Sequence, residues 1–100
     1  MSAHRALVAA ALARLAPAVP SFEREAILDH AMDSPGLRKG SPEAAAWLGL
    51  IATIRHLHTD YDRLLAEGTD PDAARWFVAA AIDTVLAEWG CRKRLPVDQG

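Results

Sequence analysis

One hundred residues, 10.8 kDa in all, make a single domain that buries roughly 65% of its unfolded surface, enough for one modest core. The net charge of −2 excludes a domain that holds nucleic acid by overall charge alone, and the lone Cys91 excludes an internal disulfide or a CxxC zinc pair. The 51% hydrophobic content is largely alanine with few aromatic rings, so helices can approach closely while each side chain buries little.

From Ala3 to Ala16, His4, Val8, Ala11, Leu12 and Leu15 share one face at helical spacing. The segment is too short and, with His4, Arg5 and Arg14, too charged to span a membrane. A signal peptide is the weaker reading because no apolar stretch survives unbroken past Arg14, so the chain is expected in the cytoplasm. Pro17 and Pro20 stop this helix and make a rigid connector of PAVP.

Ser21 is expected to cap a second helix over 22–33, with Phe22, Ala26, Ile27 and Ala31 inward and Glu23 and Glu25 at the positive end of its dipole. Ser34-Pro35-Gly36 ends it, and Pro35 to Gly40 reads as a mobile basic loop. Ser41-Pro42 repeats the start signal. The heptad Trp47, Ile54, Tyr61 and the parallel series Leu50, Leu57, Leu64 predict a long helix over 42–67. Thr59-x-x-Asp62 resembles a capping box and marks the one place where that helix could break. Gly68 is placed as its left-handed C-cap.

Thr69-Asp70-Pro71-Asp72 is a turn and N-cap for a last helix over 71–89, whose face carries Ala74, Val78, Ala81, Ile82, Val85, Leu86 and Trp89. The sequence therefore predicts an all-α domain over 1–90, four helices at roughly 3–16, 22–33, 42–67 and 71–89, followed by a basic, flexible tail over 91–100.

The polar residues of the long helix fall into two sets. His56, Asp60 and Arg63 lie opposite the apolar stripe and read as a solvated ladder. Arg55, His58 and Asp62 flank the stripe, where Asp62 can reach His58 one turn earlier and fix its tautomer. A polar network between helices, a recognition site and a catalytic pair are the readings of this set; catalysis lacks a nucleophile, and no metal or cofactor motif is present. Arg75 is placed to reach back to Asp62 or Asp70. Trp76 lies off the apolar stripe of its helix and is either a partner contact or packed on a neighbouring segment.

The residues Arg55, His56, Thr59, Tyr61, Asp62, Leu64, Leu65, Gly68, Asp70, Ala74 and Arg75 match the pattern RHxxTxYDxLLxxGxDxxxAR at every fixed position. In this the chain resembles an uncharacterised bacterial family, domain of unknown function 2293, over about Pro17 to Gly90. The resemblance implies a common fold and brings no activity, substrate or cofactor. It implies that Arg55, His56, Thr59, Tyr61, Asp62, Asp70 and Arg75 act together, as a network around the Gly68–Pro71 turn or as the lining of one pocket. His58 stands outside the pattern, which counts against chemistry at His58 and Asp62.

The leading expectation is a non-enzymatic helical binding module that engages a protein partner or itself, with Trp76 as a contact. Nucleic-acid binding through Arg38, Lys39 and the tail residues Arg92, Lys93 and Arg94 is the alternative, against which the acidic middle of the chain counts. An enzyme at Arg55, Asp62 and Arg75 comes last.

Overall fold

The computed structural model describes residues 3–96, all of whose regular structure is helical. In chain order the helices are α1 (Ala3–Leu15), α2 (Ser21–Asp33), α3 (Pro35–Lys39), α4 (Pro42–His58), α5 (Tyr61–Ala66) and α6 (Pro71–Glu88). The expected four-helix array is thus built from six pieces. A turn of helix replaces the loop foreseen at 35–40, and the long third helix is divided.

α4 is the central element and packs against α1, α2 and α6. Its buried residues include Ala45, Ala46, Leu50, Ile51 and Ile54, which face Val8, Leu12, Ile27, Ala31, Ile82 and Leu86 in one continuous core. Small residues set the spacing. At Gly49 an added Cβ would meet the Ile27 carbonyl oxygen at 3.3 Å and the Ala31 Cβ at 3.4 Å, so α2 and α4 touch there nearly backbone to backbone.

The division of the long helix has a local cause. The Thr59 hydroxyl donates to the Arg55 carbonyl and accepts from the Tyr61 amide at 3.2 Å, offering the backbone a cap in place of a further helical turn. Thr59 itself is extended, at φ −135 and ψ 173. The apolar series that favoured continuity is not one face, because Leu57 is 63% exposed between buried Leu50 and half-buried Leu64. The helix breaks at Thr59, where the capping-box pattern lay, but the box itself does not form: α5 starts after Asp60 with no side-chain cap bond, and Asp62 pairs with His56. Gly68 does take the left-handed conformation, at φ +93, where the chain turns toward α6.

Two further expectations change. Phe22 is 74% exposed, and Glu23 occupies the inward position beside Ile27. Helix α2 is in effect rotated by one residue, and it begins at Ser21 with no side-chain cap bond from Pro20. The tail is held from its first residue: Cys91 is buried, the Leu95 amide donates to Asp83 at 3.0 Å, and the Lys93 ammonium lies 4.3 Å from the centroid of the Trp47 ring. Residues 97–100 lie outside the described residues.

Candidate functional site

Tyr61, the first residue of α5, is 7% exposed and is the centre around which most of the sequence-predicted cluster gathers. The Thr59 cap turns it inward. The Arg55 guanidinium, one turn from the end of α4, lies 5.6 Å from the ring centroid. The His56 ring meets its edge in a T-shaped contact at 5.4 Å, and His56 Nδ1 donates to Asp62 across 2.7 Å. That carboxylate assigns the ring proton to Nδ1. Arg75 arrives from the first turns of α6, donates to Asp72, and is held above its ordinary pKa by that bond first, with Tyr61 adding to the effect.

Arg55 is in a different position. Burial pushes its pKa down, Tyr61 offsets part of this, and the second guanidinium at Arg75 lowers it further. Its Nε is fully buried without a hydrogen-bond partner. Arg55, His56 and Arg75 thus converge on the Tyr61 ring, Thr59 holds its amide, and Asp62 joins through His56. Asp70 does not join them: its carboxylate caps α6, accepting from the amides of Asp72 at 3.0 Å and Ala73 at 3.3 Å.

The pairings differ from those read in the sequence. Asp62 pairs with His56 and not with His58, and Arg75 pairs with Asp72 and not with Asp62 or Asp70. Arg63 bridges Asp60 at 3.1 Å and Glu67 at 3.1 Å, and both acids raise its pKa. His58 turns to the other side, where its Nε2 meets Glu23 at 2.7 Å and its ring stands edge-on to Trp89 at 5.3 Å. This inter-helix group was missed by sequence reasoning. Its only signal is an acid at position 23, one turn before Ile27, where a helix facing the core carries an apolar residue.

Beside the break an open hollow of about 450 Å³ is lined by Leu57, His58, Thr59, Asp60, Phe77, Val78 and Ala81. Leu57 and Phe77 are each 63% exposed, and Trp76, 67% exposed, meets the edge of Phe77 at 5.5 Å. Trp76 is therefore a surface residue, packed on its own neighbour rather than on another helix. Among the described residues no three of the His, Cys, Asp and Glu side chains gather as metal ligands would, and no helix is long and apolar enough to cross a membrane.

Residues 11–90 match the model of a family described as an uncharacterized conserved protein, DUF2293. The chain belongs to this family. No curated protein and no solved structure matches it. The matched span of this DUF2293 protein runs from the middle of α1 to the Gly90 turn, so it takes in both the Tyr61 cluster and the exposed aromatic pair.

Proposed function

We propose that this DUF2293 chain is a small, non-enzymatic helical binding module that engages a protein, a second copy or another chain, through the outer face of α6. The observation that carries this reading is the exposure of Leu57 and Phe77 at one hollow, with exposed Trp76 against the edge of Phe77. Around the outer side of α6, Trp76, Phe77, Ala80, Ala81, Thr84 and Ala87 are all exposed and uncharged, and Glu88 adds a charge only at the C-terminal end of that face. An exposed helix face of this kind, with two aromatic rings at one end, is what a partner's apolar surface covers. The Tyr61 cluster lies at the N-terminal end of the same helix and holds the α4–α5–α6 joint in the shape that presents the two rings. A cytoplasmic setting agrees with the unpaired Cys91 thiol.

The test combines mass and capture. Light scattering on the intact protein, and affinity capture from the source cell, are run on the native chain and on the Trp76→Ser, Phe77→Ser double variant. Both changed residues are mostly solvated, so folding is expected to persist. The expected result is loss of the dimer, or of the captured protein, in the variant. An unchanged mass and an unchanged captured set would overturn the reading.

A further inference from the structure

A second hollow, of about 490 Å³, opens between the last turn of α1 and the segment after α6, lined by Arg14, Leu15, Pro17, Gly90, Arg92 and Lys93. Its two walls are joined by the bond from the Ala18 amide to the Trp89 carbonyl, and the left-handed turn at Gly90, φ +77, brings the chain back over Pro17. Arg14 from α1 and the consecutive Arg92 and Lys93 from the far end of the sequence therefore line one space.

The cations exceed what their surroundings need. The C-termini of α1 and α6 lie beside the hollow and together amount to about one negative charge, and Glu43 adds one more, 3.7 Å from Arg14. Arg94 already serves the backbone there by donating to the Cys91 and Lys93 carbonyls. With Arg14, Arg92 and Lys93 counted against those two charges, the hollow keeps a surplus of about one positive charge. Among the described residues no carboxylate pairs with Arg92. Lys93 is held in place by its stack on Trp47, which limits the rotamer freedom a ligand would otherwise remove.

We propose that this hollow binds the phosphate group of a small phosphoester or diphosphate. Guanidinium forks match phosphate oxygens in geometry and charge, and the hollow has the size of a small-molecule cleft. Leu15 and Pro17 supply an apolar wall for the rest of the ligand. A small ester fits better than a nucleic-acid backbone, because the other basic pair of the described residues, Arg38 and Lys39, does not line the hollow. The proposal shares no residue with the outer face of α6 and stands or falls separately.

The experiment is a titration of the intact, ¹⁵N-labelled protein with inorganic pyrophosphate at low salt, read by amide shifts and by calorimetry. Saturable binding is expected, with the shifts centred on Leu15, Gly90 and Arg92. Arg92→Gln is expected to weaken it roughly tenfold, while the double change Arg38→Gln, Lys39→Gln leaves it within about twofold. No saturation, or an equal loss in the Arg38 and Lys39 variant, overturns the site in favour of diffuse charge. In a parallel arm a single-stranded oligonucleotide is added. Binding that pyrophosphate displaces and Arg92→Gln removes would overturn the small-ester assignment in favour of a polymer; its absence beside saturable pyrophosphate supports the ester. The shift map on the unmodified chain decides the matter even if a variant fails to fold.

Discussion

The two ends of α4 use charge in opposite ways. At its C-terminal end Asp60, Asp62, Glu67, Asp70 and Asp72 each have a partner within the joint: Arg63, His56, Arg75 or a capped amide. Toward its N-terminal end Arg14 meets Glu43 and shares a hollow with Arg92 and Lys93, and Arg92 has no carboxylate among the described residues. The α4 macrodipole, positive at its start, reinforces the second imbalance. Charge at the C-terminal end organises backbone; charge at the N-terminal end is left available. Motif density alone points to the former, whereas unanswered charge marks the latter as the place where a ligand changes the energy most.

Substitutions at the two ends test this contrast. The largest effect is expected at the ring on which the joint rests: Tyr61→Ala should cost about 3 kcal/mol in thermal or denaturant unfolding, since it empties a buried site and strips Arg55 and His56 of their contact. An unchanged midpoint would mean that the cluster is not built around Tyr61. Glu23→Ala should cost about 1–2 kcal/mol, because His58 loses the one acid it meets at 2.7 Å and α2 loses its tie to the end of α4. If urea unfolding of that variant superimposes on the parent curve, the pair carries no weight.

Thr59→Ala comes next, at about 1 kcal/mol, the usual worth of a capping hydroxyl. Amide exchange at Tyr61 should quicken, and unaltered protection there would remove Thr59 as the cause of the break. Asp62→Asn is expected to cost less than about 1 kcal/mol, because its pair with His56 is half in solvent. A larger loss would promote that pair from a surface contact to a structural one. At the opposite end Arg92→Gln should stay within about 0.5 kcal/mol of the parent in stability while changing pyrophosphate binding. A marked loss of stability there would erase the difference between the two ends.

Much of the fold was legible in residue order. Ser41-Pro42, Asp70-Pro71 and Gly68 mark helix ends by chemistry that acts within a few residues, and each acts where expected. The division at Thr59 was also written locally, in a hydroxyl that competes with its own backbone. It was outweighed in reading by a heptad that crosses the break, a pattern which periodicity alone cannot distinguish from a continuous face. Phe22 shows the same limit. Its spacing to Ala26 and Ile27 admits two rotations of α2, and only the presence of His58 makes the rotation that buries Glu23 tolerable.

The convergence of Arg55, His56, Thr59, Tyr61, Asp62 and Arg75 was likewise legible, because all belong to adjacent helices joined by one short turn. Their pairings were not, since i, i+4 arithmetic presumes an unbroken helix and the break carries Asp62 from His58 to His56. Residue order along the chain is enough to set the helical class, the caps and the polar identity of the joint. These depend on backbone chemistry and side-chain period over a few residues. The packing of the helices is what leaves Trp76 and Phe77 in solvent, brings Glu23 to His58, and gives Arg14 a hollow in common with Arg92 and Lys93. Such contacts join residues far apart in the chain, and their partners are selected by how helices cross at close-packed glycine and alanine, which no local pattern encodes.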